Sequence, residues 1–322
     1  MINKTSIVFM GTPQFSVPIL KALFENPNYQ IIAVVTQPDR AAGRKQELTF
    51  SPVKQAAIDF GIENILQPEK ISGSKEQQII IDLQPDLIIT AAFGQFLPTK
   101  ILEAAKIAAI NVHASLLPKH RGGAPIHHSI IQGDKRTGVS IMYMILKMDA
   151  GDVISQESIE IEDDDNVGTL TEKLSLIGRD LLIKTLPNII SGDINPVAQD
   201  ESEITISPNI KREEQRIDFS DETAQEINQH VRGLYPTHPA YFETVDDRRI
   251  TLISATDFKE KTDLEPGRIV NVSKNQLLIA ADQGTVLSIE KLQPAGKNPL
   301  EIKQYLNGAI NQLAIGEQFV RL

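Results

Sequence analysis

Asn111 and His113 stand two positions apart in an apolar run that ends in a polar turn, Ile110-Asn111-Val112-His113-Ala114-Ser115-Leu116-Leu117-Pro118. In an extended strand a period of two puts both side chains on one face. An amide with fixed donors and an imidazole that titrates near neutrality suit one task together: holding a developing oxyanion while moving a proton. A lone histidine at a strand end is more often a satisfied structural residue. Asn111 beside it, and the Pro- and Gly-rich Arg121-Gly122-Gly123-Ala124-Pro125 after it, favour the catalytic reading. A third polar group comes from Lys147-Met148-Asp149-Ala150-Gly151-Asp152. An aspartate beside the imidazole would raise the population of imidazolium and pass a proton by way of water. Asp149 is the candidate and Asp152 its nearer rival, although Asp-Ala-Gly-Asp alone is more often a turn.

Other chemistries fit less well. The first strand-to-helix turn, Met10-Gly11-Thr12-Pro13-Gln14-Phe15, has one glycine where a dinucleotide fingerprint needs three, and no Gly-Lys-Ser/Thr follows any strand, so neither NAD nor a P-loop is expected. The absence of cysteine removes disulfides, thiol nucleophiles and cysteine-ligated metals. His120, His127 and His128 with His113 make no compact ligand motif, so no metal is expected. A net charge of −10 argues against indiscriminate nucleic-acid binding, while leaving room for a local basic surface.

The elements that must position Asn111 and His113 read as a parallel sheet wrapped by helices. Ser6 to Met10, Gln30 to Thr36, Asp86 to Phe93 and Ile107 to His113 read as strands. Pro18 to Phe24, Ser51 to Phe60 and Ser74 to Leu83 read as helices, with Ser51 as N-cap and Pro52 at the first helical position. The right-handed crossover rule then gives an α/β, doubly wound, mostly parallel open sheet, with Asn111 and His113 at the carboxyl edge where such sheets bind ligands. Thr169 followed by Glu172 reads as a capping box opening a long helix that ends near Ser191-Gly192. At 322 residues the chain exceeds one ordinary core, so two domains are expected: residues 1–191, a polar linker at 192–210 that packs strongly against neither, and residues 211–322. The last part carries a short helix near Asp221 to Val231. Five short strands follow, Tyr241 to Val245, Arg248 to Ala255, Gly267 to Val272, Gln276 to Ala281 and Thr285 to Leu292, which suggest a small all-β barrel. No stretch resembles a secretory signal or a membrane span of about 20 apolar residues, so a cytoplasmic protein without membrane contact is expected.

Asn111 to Pro118, Arg121 to Pro125 and Asp149 to Asp152 together resemble the formyltransferase family that uses 10-formyltetrahydrofolate. Gln37-Pro38-Asp39-Arg40, Ala42-Gly43-Arg44, Ser51-Pro52-Val53-Lys54 and Leu292-Gln293-Pro294-Ala295-Gly296-Lys297 point to its branch acting on methionyl-tRNA, over essentially the whole chain. The resemblance implies formyl transfer from 10-formyltetrahydrofolate to the free α-amine of initiator methionyl-tRNA, giving N-formylmethionyl-tRNA for translation initiation. It implies Asn111, His113 and Asp149 as the catalytic trio, with no metal and no covalent enzyme intermediate. For folate it implies a pocket shaped by Phe93, Gly94, Gln95, Phe96 and Leu97, by Ser115, Leu116, Leu117 and Pro118, and by Met148, Gly151 and Asp152. For tRNA it implies Arg40, Arg44 and Lys45 on the long loop Pro38 to Phe50, and Lys211, Arg212 and Lys297 on an OB-like C-terminal barrel. Arg248, Arg249 and Lys291 extend the possible basic stripe. A monomer is expected. The chain departs from the family at Glu47, which would repel phosphate, and at His238, where a tryptophan is usual.

Overall fold

The computed structural model describes residues 4–42 and 47–322. Arg44 and Lys45 lie outside the described residues. By their contacts the residues form two compact units, one of Met1–Pro125, Arg136–Glu160 and Thr171–Pro208, the other of Ile126–Lys135, Ile161–Leu170 and Asn209–Leu322. This division is interleaved, where the sequence suggests a single crossing at 192–210.

The chain runs through β1 (Thr5–Gly11), α1 (Val17–Glu25), β2 (Tyr29–Val35), β3 (Arg40–Ala42), β4 (Glu47–Thr49), α2 (Pro52–Asp59), β5 (Ile65–Leu66), α3 (Lys75–Leu83), β6 (Leu87–Ala91), α4 (Thr99–Leu102) and β7 (Ala108–His113). It continues through α5 (Pro125–Ile131), β8 (Arg136–Tyr143), β9 (Val153–Glu160) and α6 (Val167–Ser191). Seven strands of the first unit form one sheet in the order β5-β2-β1-β6-β7-β8-β9. The pairings from β5 to β7 are parallel, and β8 and β9 are antiparallel additions. The mostly parallel α/β sheet is therefore as expected, and its direction of winding reverses between β1 and β6. Ile7, Val8, Phe9, Met10, Leu87, Ile88 and Ile89 are all fully buried, as strands covered on both faces must be. Each such side chain stabilises the fold by about 1.5–3 kcal/mol relative to leaving it exposed.

Ser51 caps α2 as its sequence suggests, accepting from the Lys54 N–H at 3.1 Å. Two local expectations are corrected, and the long loop carries structure of its own. Helix α6 opens at Val167 rather than at a Thr169 cap: the Asn166 side chain takes the Gly168 and Thr169 N–H groups at 2.8 and 3.2 Å, while Thr169 donates to Asp165. The long loop Pro38 to Phe50 contains the β3–β4 hairpin, whose root is held by Asp39. Its carboxylate meets Lys54 at 2.5 Å and Gln67 at 2.8 Å, and these hydrogen bonds, Lys54 first, hold its pKa below the usual carboxylate range. The polar segment 192–210 does not run free. Val197 exchanges backbone hydrogen bonds with Val153 at 2.8 and 2.9 Å, Ser207 donates to the Arg121 carbonyl at 2.7 Å, and Ala124 donates to that of Ser207 at 3.1 Å. An extended segment offers backbone groups that must find partners, and edge strand β9 offers the complementary ones.

In the second unit, α7 (Ala224–Leu234) is followed by β10 (Tyr241–Glu243), β11 (Arg249–Phe258), β12 (Ile269–Val272), β13 (Leu277–Ala280), β14 (Val286–Pro294), β15 (Leu300–Glu301) and α8 (Ile302–Ala309). The sheet follows β10-β11-β14-β13-β12, with β15 beside β14, around a core that includes Phe219, Phe242, Leu252, Leu287, Ile289 and Phe319. The expected closed barrel is not found: the strand path has two ends among the described residues. Residues 317–321 join them by hydrogen bonds instead. On one side Ile269 and Phe319 N–H donate to the Glu317 and Gly267 carbonyls, both at 2.9 Å. On the other Val245 and Arg321 N–H donate to the Phe319 and Glu243 carbonyls at 3.1 and 2.8 Å.

Candidate active site

β7 lies between β6, parallel, and β8, antiparallel. Its alternate residues Ile110 and Val112 are buried, and Val112 meets Gly178 of α6, where an added methyl group would crowd it at 3.0 Å. Asn111 and His113 take the other face. In register Asn111 faces Thr90 of β6, whose hydroxyl donates to Asn111 Oδ1 at 2.7 Å. That bond leaves the amide NH2 as the end available to an incoming oxygen. Thr90 is a site residue that sequence reasoning missed, although a hydroxyl in the otherwise apolar Leu87-Ile88-Ile89-Thr90-Ala91 was a visible signal.

His113 is 5% exposed. Its Nε2 lies 3.0 Å from the His120 carbonyl oxygen. A carbonyl can only accept, so Nε2 carries a proton and Nδ1 is the nitrogen left for chemistry. Nδ1 stands 3.7 Å from Asp149 Oδ1. The other carboxylate oxygen, Oδ2, accepts from the Gly122 N–H at 2.9 Å. The structure thus brings Asp149 to His113, while Asp152 is exposed. Asp149 has φ 47°, in the left-handed region that a non-glycine residue occupies at a cost of order 1–3 kcal/mol. Gly151 makes the same turn possible, since a methyl group there would collide with the Tyr143 carbonyl.

The expected folate residues divide by exposure. Phe93, Leu97 and Leu117 are buried, the first two in the core cluster with Ile71 and Ile101. Gln95 braces the chain, accepting from Ile71 N–H at 2.7 Å and donating to the Pro68 carbonyl at 2.9 Å. Ser115 donates to the Lys119 carbonyl at 2.6 Å. Gly94 and Asp152 are exposed, Leu116 and Pro118 half-buried and Gly151 buried, and among the apolar members Phe96 and Met148 are open to solvent. Of the expected tRNA residues, Arg40 is exposed and 3.6 Å from Glu69, and Lys211, Arg212 and Lys297 are exposed. Arg248 and Lys291 pair with Asp246 and Glu301 at 2.7 and 2.9 Å, and Arg249 lies over the Tyr241 ring at 3.5 Å. Among the described residues no group of three or more His, Cys, Asp or Glu is placed to hold a metal, and no helix is long and apolar enough to cross a membrane.

The geometry can be set beside known proteins. Residues 4–186 match the formyl transferase family and residues 209–309 its C-terminal domain. The chain is 57% identical over 306 residues to the methionyl-tRNA formyltransferase of Limosilactobacillus fermentum, covering 95% of this chain and 96% of that one. It is 55% identical over 310 residues to that of Enterococcus faecalis, covering 96% and 98%. Similar folds include an N-formyltransferase from Helicobacter canadensis in complex with folinic acid and dTDP-3-aminofucose, with a TM-score of 0.63 at 17% identity over 89% of this chain and 99% of that one. HypX from Aquifex aeolicus in complex with tetrahydrofolic acid gives 0.62 at 14% identity over 99% of this chain and 51% of that one. The chain belongs to the formyl transferase family, among the methionyl-tRNA formyltransferases.

Proposed function

We propose that the chain transfers the formyl group of 10-formyltetrahydrofolate to the α-amine of methionyl-tRNA, with Asn111, His113 and Asp149 as its catalytic residues. The methionine amine attacks the formyl carbon, a C–N bond forms, and the carbonyl oxygen gains negative charge. The Asn111 NH2 group, turned outward by Thr90, and His113 in its protonated form, with a proton on Nδ1, stabilise that charge. Asp149 orients the imidazole and, with a water, carries the proton from the attacking amine to N10 of the folate as the N10–formyl bond breaks. The observation that carries this reading is the 3.7 Å approach of Asp149 to the free nitrogen of His113 on a strand end shared with Asn111. The tetrahydrofolate-derived donor is supported by the family match; 10-formyltetrahydrofolate is the form whose N10 is the leaving group.

Residues 1–191 act as the catalytic part, 192–210 as the connection and 211–322 as an OB-like part that engages tRNA. The sheet of the second unit, its two ends joined through residues 317–321, supports the OB-like reading. Arg40, Arg44, Lys45, Lys211, Arg212 and Lys297 are the residues proposed to meet the tRNA, and Phe93 to Leu97, Ser115 to Pro118, Met148, Gly151 and Asp152 those proposed to shape the folate pocket. The enzyme acts as a cytoplasmic monomer.

The test mixes the protein with 10-formyltetrahydrofolate and methionyl-tRNA and follows N-formylmethionine, tetrahydrofolate and formate. Formylation that requires the charged tRNA supports the proposal, whereas formate released without an acceptor would make the protein a hydrolase. His113→Ala should slow transfer by about two orders of magnitude or more; an undiminished rate would remove His113 from the mechanism.

A further inference from the structure

Asp149 can serve His113 only if its strained backbone is held, and the residue that holds it comes from the segment expected to be a passive linker. The Gln199 amide nitrogen carries two protons, and two carbonyls of the Asp149 turn take them: that of Asp149 at 2.8 Å and that of Gly151 at 2.7 Å. The amide oxygen accepts from Arg121 Nε at 3.0 Å. Turned over, the group would set oxygen against two carbonyl oxygens and NH2 against an N–H donor, so its orientation is determined by its partners. Arg121 is 3% exposed, and its guanidinium also meets Glu201 at 3.2 Å. A nearly buried charge must be hydrogen-bonded, which makes Arg121 a fixed post for Gln199.

The same segment also bears on the other partner of His113. Thr205 Oγ1 accepts from the His120 N–H at 2.8 Å, and Ser207 Oγ lies 2.8 Å from His120 Nδ1. His120 supplies the carbonyl that fixes Nε2 of His113. Residues 199–207 therefore grip both groups that orient the catalytic imidazole.

We propose that Gln199 is a positioning residue for the formyl transfer, clamping the Asp149–Gly151 turn so that one carboxylate oxygen meets the Gly122 N–H and the other meets His113. This rests on the reading that Asp149 serves His113 in catalysis. A displacement of about 1 Å in such a group can cost 10²-fold in rate.

Two substitutions test it. Gln199→Met keeps the length of the side chain and removes all three hydrogen bonds. Gln199→Glu keeps an oxygen for Arg121 and replaces only the two donors to the turn. Both should lower kcat about 10- to 100-fold, with KM for tRNA and for the folate donor within roughly 3-fold of wild type. In an Asp149→Asn background neither should lower kcat further, because the clamp acts through that carboxylate. A merely structural role would lower thermal stability and subtract the same factor in both backgrounds. Independently of any assay, the Gly122 amide proton should move in the NMR spectrum of each variant that folds. If Gln199→Met does not fold, Gln199→Glu carries the comparison. Wild-type kcat in the variants, an equal loss on Asp149→Asn, or an unmoved Gly122 resonance would overturn the clamp. A wild-type protein without formyl transfer, whose variants nonetheless shift the Gly122 resonance, would instead overturn the proposed function and leave only the hold of Gln199 on the Asp149 turn.

Discussion

Thr90 decides which end of Asn111 is turned outward, and so which end would meet the oxyanion of the proposed transfer. Its hydroxyl occupies the amide oxygen at 2.7 Å, so the donors are presented without any reorganisation when charge develops. Asn111→Asp would keep the acceptor for Thr90 and put negative charge where the oxyanion forms. Transfer should fall by about 10²- to 10³-fold, measured as N-formylmethionyl-tRNA formed at saturating donor. Thr90→Val, which only frees the amide to turn, should fall less; a smaller effect of Asn111→Asp than of Thr90→Val would contradict the oxyanion role. At this scale the sequence was most informative where spacing alone sufficed. Asn111 and His113 share a face because strands alternate, and that needs no neighbour. The choice between Asp149 and Asp152 depended on a backbone at φ 47°, and Thr90 and Gln199 depended on strand register and on a contact fifty residues distant, so none of these was fixed by local pattern.

The same four-residue pattern occurs twice as a helix signal, and only one copy acts as a capping box. At Thr223 the hydroxyl accepts from the Glu226 N–H at 3.3 Å while the Glu226 carboxylate takes the Thr223 N–H at 2.8 Å, and α7 begins on the next residue. At Thr169 the helix has already begun, because Asn166 reaches two free N–H groups first and Thr169 turns back to Asp165. A threonine three residues before a glutamate is therefore ambiguous whenever an asparagine stands just upstream. Thr223→Ala should destabilise the protein by about 1 kcal/mol in denaturant unfolding, while Glu172→Ala, on an exposed site, should change it by less than about 0.5 kcal/mol. Equal effects would mean that the second pattern also caps. Strands β1, β2, β6, β7 and β10 to β14 and helices α1, α2, α3, α6 and α7 were legible to within a few residues, whereas β5, β9, β15, α4, α5 and α8, most of them short, were not. Nor was the β3–β4 hairpin, with only three residues in each strand, or the joining of the second sheet's ends, which pairs residues 48 to 78 positions apart.

At the scale of the whole molecule, two histidines of the second unit set opposite limits on stability. Burial pushes the His127 imidazole down, and the nearby His238 and His128 add to this against the opposing hydrogen bond to the Gly233 carbonyl. Burial would also lower His230, but the Glu222 carboxylate at 2.7 Å and the Glu214 carbonyl at 2.6 Å outweigh it, and its pKa is raised. Both His230 nitrogens face oxygen acceptors there, which suits the doubly protonated ring. The signs then separate. For His127 the folded value lies below the unfolded value of about 6.5, so its contribution is complete above that pH and is lost as the pH falls through the folded value. For His230 the folded value lies above about 6.5, so its contribution is complete below that pH and is lost as the pH rises through the folded value. Together they confine their joint contribution to a broad maximum near pH 6.5. Denaturant unfolding between about pH 5 and pH 9 should show a flatter alkaline limb in His230→Gln and a flatter acidic limb in His127→Gln. His230→Gln should cost about 1 kcal/mol or more at pH 6 and less at pH 9. A cost for His230→Gln that grows towards pH 9 would reverse the sign argued for this pair and remove Glu222 as the partner that holds its charge.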